Sequence, residues 1–530
     1  MGVKLGNGKW AIKEDKLLAY NDNSGRFFNK EFDFSRGSSA TYVAKDGLIK
    51  VSGVTDTELV TNGDFATDSD WQKSSTATIS NGSAHIVSDG SYQYVRQSSV
   101  LTVGKKYRVE YEIVENNSGN LKMSSSFGSN FSPISSTVGF HSFEAAALIT
   151  TFYIERQTAC DIKIDNVSVV EIQTDVPRID FTDTSKGALL LEPQSTNLIT
   201  YSEDFSQWTF KTGISISSNE ITSPDGTLNG SKIETTANGA RYVGNNHTLS
   251  TGNNTFSVFA KKGVNNWIYL NVLKDASNNW NYTFDLENGV FGQSNSSAYT
   301  VTPKIEDYGN GWYRCSITAN VTSSGVFATR IYPADSATDV STTIGDNIYI
   351  YGAQVEEKSF ATSYIPNHGV SGGVTRLADV CNNSGSAQDF NSEEGVLYAE
   401  IAALANDGTN RLLSINDSTS SNSIWLYFNT ANNVTYSVRI GGVVQASATH
   451  TINIKTYNKI AIKYKENDFA VWFNGIQQLT DTSGNTYTSG TLNNISFDAG
   501  DGALNFYGKV RELQVFTEAL TDEQLQKLTS

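Results

Sequence analysis

The chain has 530 residues, a formal net charge of −16 and 11% aromatic residues. At about 150 residues per domain, that length implies three or four domains, each long enough to bury a core; the acidic balance excludes a nucleic-acid-coating role, which needs a basic surface. Gly is high at 43 and Pro low at 7, and 25 Tyr and 26 Phe stand against 2 Met. Aromatic and β-branched residues broken up by Asn, Gly and Ser turns describe antiparallel β-structure rather than helix bundles.

In chain order, the first fifty residues hold nine Lys/Arg against six Asp/Glu, an excess of 9 − 6 = +3. That excess suits docking to an acidic partner and equally suits chance in a short window. The start, MGVKLGNGKWAIK, has no apolar h-region, so no signal peptide is expected. No run of ~18 apolar residues occurs, so no membrane span is expected, and the protein is expected to stay in the cytosol unless something else releases it. From residue 58, ELVTNGDFATDSDW opens a series of short alternating runs that closes with DIKIDNVSVVEI, where Ile162, Ile164, Val167 and Val169 mark a buried face. Turn signals at NG, DG and SGN at this spacing predict a β-sandwich. From residue 197, NLITYSEDFSQW opens a second region on the same plan. Its closing IYIYGAQVEE aligns without gaps on IKIDNVSVVE, placing Ile348 on Ile162, Ile350 on Ile164 and Val355 on Val169. Matched opening and closing strands predict two copies of a jelly roll, whose first and last strands lie side by side. The region 381–530 is a third β-unit, with Ile460, Ile462 and Tyr464 on one face, an NG turn at Asn474-Gly475 and a short final helix capped by Thr521 ahead of Asp522, Glu523 and Gln524.

Enzymatic signals are weak. Cys160, Cys315 and Cys381 are far apart and form no CxxC, which argues against a disulfide framework or a zinc site. His85, His141, His247, His368 and His450 are scattered, without HExxH. GVSGG at 369–373 fits G-x-S-x-G but lacks the strand-to-helix context of a nucleophile elbow and reads as a linker. GNGKWA at 6–11 fits G-x-G-x-x-A without a βαβ pattern. Glycoside hydrolysis needs two carboxylates about 5–9 Å apart, and Glu393, Glu394 and Glu400 lack the spacing that would supply them from one strand.

Several motifs carry resemblances. NGDF with Trp71, and IDNVSV at the end of the first region, are similar to carbohydrate-binding modules of the galactose-binding-like type. GALLLEPQSTNLITYSEDFSQW, FDLENG, DYGNGWYRCSIT, IYGAQVEEKSFATSYIPN and VTRLADV, in that order over roughly 177–380, resemble a module recurrent in tailed-phage structural proteins, where it often precedes a laminin-G-like lectin domain. FDFSRGSSATYVAKDGLI (32–49) resembles the head of that module, which normally runs almost directly into PRIDFTD. Here PRIDF begins at Pro177, so the unit between reads as an inserted domain, an arrangement tolerated where a domain's ends lie together at the surface. The end of the chain resembles laminin-G-like and concanavalin-A-like lectin domains. The jelly-roll resemblance also implies a structural Ca²⁺ on Asn62, Asp64 and Asp165; an Asx turn explains the same residues. In the second copy Tyr351 stands in place of Asp165.

The expected fold is therefore all-β: two galactose-binding-like jelly rolls plus a concanavalin-A-like/laminin-G-like sandwich. The expected segments are 1–55 as a virion anchor, 56–173 as the inserted jelly roll, 174–196 as a connector, 197–367 as the second jelly roll, 368–380 as a linker and 381–530 as the lectin domain. The expected function is a non-catalytic phage virion protein (a tail or head fibre, spike or decoration) that binds host-surface or environmental glycans. The alternatives are a polysaccharide-degrading enzyme with accessory modules and a bacterial surface lectin or adhesin. Sugar recognition uses an aromatic platform with amide and carboxylate hydrogen bonds, for which Trp267, Trp280, Trp425 and Trp472 are the candidates. Expected partners are other virion proteins through the N-terminal segment and host polysaccharide, with neither nucleic acid nor membrane insertion. No cofactor is required beyond the optional Ca²⁺, and a homotrimer is the usual state of fibres, although no heptad or collagen-like repeat is present.

Overall fold

The computed structural model describes residues 30–530 except 184, 295 and 296, and before residue 30 only the backbone of short strands at Ala11–Lys13, Lys16–Leu18, Tyr20–Asn21 and Arg26–Phe27. The expected anchor, 1–55, falls outside the described residues only in its first part, GNGKWA included apart from the backbone of Ala11; residues from 30 to Lys50 are described and belong to the larger unit. The fold is all-β, with helix limited among the described residues to a few short turns and the terminal helix Asp522–Thr529. There Thr521 accepts the Gln524 N–H at 3.3 Å and Gln524 accepts the Thr521 N–H at 2.9 Å, a reciprocal capping box.

Two compact units form. One is Val51–Thr174 with Asn367–Gly372; the other combines Met1–Lys50, Asp175–Pro366 and Gly373–Ser530. The first unit is a sandwich of a six-stranded and a four-stranded sheet. Its long strand Lys106–Ser118 alternates strictly at first, with Tyr107, Val109, Tyr111 and Ile113 in the core and Arg108, Glu110 and Glu112 outside, as expected of a sheet with one wet face. The second unit holds a sandwich of two six-stranded sheets and another of nine and five strands.

The repeat seen in sequence is a repeat in hydrogen bonding. In the first unit the Leu59 N–H donates to Val169 O at 3.0 Å and the Val167 N–H to Gly63 O at 2.8 Å; in the second unit the Leu198 N–H donates to Val355 O at 2.9 Å and the Ala353 N–H to Ser202 O at 2.8 Å. The indole of Trp71 donates to Asn62 O at 2.9 Å and that of Trp208 to Tyr201 O at 2.8 Å. Each indole packs on its own Phe, Phe65 at 5.1 Å and Phe205 at 5.0 Å between ring centroids. The opening strand thus lies along the closing strand in both copies. The first unit's ends are joined by the Gln173 N–H to Gly53 O bond of 2.8 Å. Gly63 is required by this closeness, because a Cβ there would stand 1.9 Å from Val167 O.

The segment 174–196 does more than connect. Arg178–Asp180 and Ala188–Leu191 are strands of the nine-stranded sheet, with Leu189 opposite Val510 and Leu191 opposite Gly508, and both leucines sit in the C-terminal core beside Phe32. Asp33–Ser35 pairs with Val380–Asn382. Where these strands meet, five charged side chains are buried together. Arg178 donates to Glu192 at 2.8 Å and to Asp379 at 2.5 Å, Arg36 donates to Asp379 at 3.1 Å, and Arg376 lies 3.6 Å from Glu192. None of the five is more than 3% exposed. Ser363 adds N–H and O–H donors to Glu192 at 2.8 and 2.6 Å. Burial pushes the Glu192 carboxyl up, but Arg376, Arg178 and the Ser363 hydrogen bonds outweigh it and hold the group at about 2. Burial, and then the like charge of Arg178, bring Arg36 down to about 10.

Removing one member of such a network leaves an uncompensated buried charge. Asp379→Asn is expected to lower the unfolding free energy by about 3–5 kcal/mol, read from urea denaturation of the full chain; an unmoved midpoint would contradict the role given to the network. Burial also holds the His247 imidazole at about 4, below its ordinary 6.5. The unfolded chain therefore takes up this proton first. The stability tied to the neutral ring is complete above pH 6.5 and is lost as pH falls toward 4, up to about 3 kcal/mol. His247→Asn should flatten the stability-versus-pH curve across that window relative to the parent.

Candidate functional site: an aromatic face on the second sandwich

One sheet of the second sandwich runs, in spatial order, through Phe210–Thr212, Tyr242–Leu249, Gly325–Ala334, Trp267–Asp275, Asn278–Asp285 and Val290–Phe291. Strand alternation sends Val243, Ile331, Ile268, Leu270 and Phe284 into the core. The residues between them go to the outer face. Register then aligns them: Thr212 faces Tyr242, Tyr269 faces Tyr332, and Tyr269 faces Thr283 on its other side. Tyr242 and Tyr332 have ring centroids 4.9 Å apart, and Tyr332 and Tyr269 5.2 Å, so three tyrosines from three adjacent strands make a continuous row. The next row holds Phe210, Gly244, Arg330, Asn271 and Asn281. Tyr269 and Tyr332 form a floor only 9% and 7% exposed, while Phe210, Tyr242, Arg330 and Trp267 stand half-exposed around it.

Burial pushes the Tyr269 hydroxyl up, and the Tyr332 hydroxyl too, the latter partly offset by Arg330. Both phenols remain neutral and able to donate as well as accept. The Arg330 guanidinium lies 4.6 Å from the centre of the Tyr242 ring. Two segments border the face: Ser297 Oγ accepts the Asn281 N–H at 2.9 Å, and Thr283 Oγ donates to Ala337 O at 3.0 Å.

Of the four tryptophans predicted from sequence, Trp267 is on this face, packed with the tyrosine group. Trp425 is half-buried on the outer side of the five-stranded sheet, its indole donating to Ala499 O at 3.1 Å and Arg439 lying 4.6 Å from its ring. The other two are corrected. Trp280 is a core residue, 1% exposed, because its strand parity matches Tyr282 and Phe284. Trp472 is covered by the terminal helix, packing with Leu525. The tyrosines and Arg330 were not found from sequence, because each strand contributes only one or two of them and register alone assembles the row. The alternation in WIYLNVL and TRIYPA is the signal that was available.

A cleft of about 640 Å³ in the same unit is lined by charged groups that include Asp180, Asp183, Lys304, Glu306 and Lys509. These pair with each other: Lys509 lies 3.0 Å from Asp183 and 3.4 Å from Asp180, and Lys304 2.7 Å from Glu306. The carboxylates considered for hydrolysis are likewise engaged, Glu394 with Lys465 at 2.7 Å and Glu400 with Arg511 at 3.1 Å, while Glu393 is exposed beside them. GVSGG leads into the strand Val374–Arg376 rather than into a helix.

The calcium candidates are each engaged locally, with Asp64 near enough to Asp165 to help push its carboxyl up. The Asn62 amide is turned into its own loop, donating to Thr67 O at 2.7 Å and Ser69 O at 3.0 Å, and Asp64 accepts the Ala66 N–H at 3.3 Å. Asp165 accepts the Asn166 N–H at 2.7 Å; its pKa is raised by burial, then by Glu112 and Asp64. Among the described residues no group of three or more His, Cys, Asp or Glu is placed to hold a metal ion. An Asx-type loop accounts for the hydrogen bonds of Asn62 and Asp64.

No family profile matches the chain, and no curated protein matches it in sequence. Among solved structures, a carbohydrate-binding module (CBM40) of a Ruminococcus gnavus sialidase is 19% identical, covering 28% of this chain and 94% of that one at a TM-score of 0.24. A putative carbohydrate-binding protein from Bacteroides ovatus is 10% identical over 54% of this chain and 78% of that one, at 0.21. A tandem CBM22 domain from Paenibacillus barcinonensis is 9% identical over 59% and 99%, at 0.20. At this level of similarity the site is read from its own geometry.

Since Asn62 holds its loop without help, millimolar Ca²⁺ or EDTA should leave the thermal unfolding midpoint unchanged in calorimetry. A Ca²⁺-dependent rise would restore the calcium reading.

Proposed function

We propose that the chain is a non-catalytic glycan-binding protein whose recognition surface is the aromatic face of the second sandwich. The observation that carries this is the row Tyr242–Tyr332–Tyr269, with Trp267 beside it and Asn271 and Arg330 in the next row. A sugar ring presents C–H groups that pack on aromatic faces, and hydroxyls that exchange hydrogen bonds with amides and neutral phenols. The absence of catalysis is part of the proposal, supported by the pairing of Glu394 and Glu400 with cations.

At finer detail we read the chain as a phage structural protein: a head or tail fibre, spike or decoration that contacts host-surface polysaccharide. The support is the order and number of the motifs between 177 and 380. In that reading the inserted jelly roll, 56–173, is a guest domain set into the phage module, and the C-terminal sandwich is its laminin-G-like lectin partner. Purified particles analysed by mass spectrometry should contain this chain; particles without it would remove the virion reading while leaving glycan binding intact.

The glycan reading is tested with the full chain on a polysaccharide panel. Tyr242→Ala and Trp267→Ala are each expected to weaken binding on the order of tenfold with the thermal midpoint retained. Unchanged affinity in both variants would move the site elsewhere. Release of reducing sugar by the unmodified protein would favour the enzyme alternative.

A further inference from the structure

We propose that the aromatic face takes an acidic glycan, with Arg330 receiving a carboxylate of the sugar; this rests on the glycan reading above. Arg330 stands in the middle of the face, opposite Gly244 on one strand and Asn271 on the other. Its guanidinium lies 4.6 Å from the Tyr242 ring centre, which fixes its plane without neutralising its charge. Among the described residues no carboxylate lies within 4.0 Å of it, and its Nε is buried without a hydrogen-bond partner.

Of the twelve described arginines, six have such a carboxylate partner and six, Arg330 among them, do not. Arg36, Arg108, Arg178, Arg376, Arg411 and Arg511 each have a carboxylate within that distance. The acid on the same face, Asp285, is occupied by its own turn, accepting the Glu287 N–H at 2.9 Å and the Asn288 amide at 2.8 Å. Space for the guanidinium is provided by Gly244: a Cβ there would meet Thr329 O at 2.8 Å and Arg330 Cγ at 3.2 Å. A rigid planar fork without a carboxylate partner, its side-chain hydrogen bond directed at the neutral Tyr332 phenol, matches the planar geometry of a carboxylate, for which bidentate pairing is strongest.

The arrangement recurs in the other two sandwiches. Arg96 lies 5.2 Å from the Tyr94 ring centre and 5.3 Å from that of Tyr153, and Arg439 lies 4.6 Å from that of Trp425. Neither has a carboxylate within 4.0 Å among the described residues. Arg96, Arg330 and Arg439, each half-buried on an aromatic ring while Arg314 on Phe259 is buried, suit a polymer that repeats the same anionic group.

The test is binding of the full chain to polygalacturonate, dextran sulfate and neutral dextran at low and high salt. The expected result is a preference for polygalacturonate over dextran of at least about tenfold that shrinks with salt. Arg330→Gln should erase that preference, and Arg330→Lys, which keeps the charge but not the fork, should lose most of it. Both variants are checked by their thermal midpoint, and the lysine variant carries the test if the glutamine variant fails to fold. Preference for dextran over polygalacturonate, or an undiminished acid preference in both variants, would overturn the proposal. A stronger preference for dextran sulfate would overturn the carboxylate assignment. Failure to bind any saccharide on the wider panel would defeat the glycan reading itself.

Discussion

Five buried charges hold the larger unit together. Arg36, Arg178, Glu192 and the neighbouring pair Arg376 and Asp379 come from four stretches of chain, and Ser363 from a fifth. An isolated charge at that depth would cost several kcal/mol, so each is tolerable only with its partners present. These ion pairs fix the head strand Asp33–Ser35 against Val380–Asn382, and seat Ala188–Leu191 against the last long strand. Residues before 50 and after 175 are also joined directly although more than 120 residues separate them: Arg36 and Gly37 both donate their N–H to Asp175, at 2.7 and 2.9 Å.

On that frame the second sandwich repeats the first. Opening strand, indole hydrogen bond, Phe–Trp packing and closing strand are equivalent in the two, and the sheets run in the same order. The outer faces are where the copies diverge. The first uses Tyr94, Arg96 and Tyr153 on a four-stranded sheet; the second widens the sheet to six strands and lays three tyrosines across it. Conserving the inward positions while varying the outward ones is the economy of a β-sandwich: inward residues determine the fold, and outward residues are free to be chosen for a ligand.

Much of the architecture was legible because strand alternation and paired turn signals are local. Ile162 with Ile348, and Val169 with Val355, were matched by sequence and occupy equivalent ladder positions. Thr521 was read as a cap and is one. What was not legible was non-local. Trp280 looked like a platform candidate until its neighbours Tyr282 and Phe284 showed the same inward parity, and Trp472 until the terminal helix was seen to cover it. The tyrosine row exists only through register between strands far apart in sequence, and Arg178 and Arg376 give no local hint that they share Glu192. The stretch 174–196 reads as a connector because its strands are only three and four residues long; they pair with each other, and the second also pairs with a strand more than 300 residues away.

The functional account joins these observations in one direction. Strand register aligns the outward residues of the second sandwich, and the aligned residues make a face with neutral hydrogen-bonding groups and one guanidinium that has no carboxylate partner among the described residues. A structure of the full chain with a polysaccharide it binds tests this most directly. The account predicts ordered sugar over Tyr242, Tyr332 and Tyr269, bordered by Trp267 and in contact with Arg330. Sugar ordered instead in the cleft beside Asp183 and Lys509, with the tyrosine row bare, would contradict it.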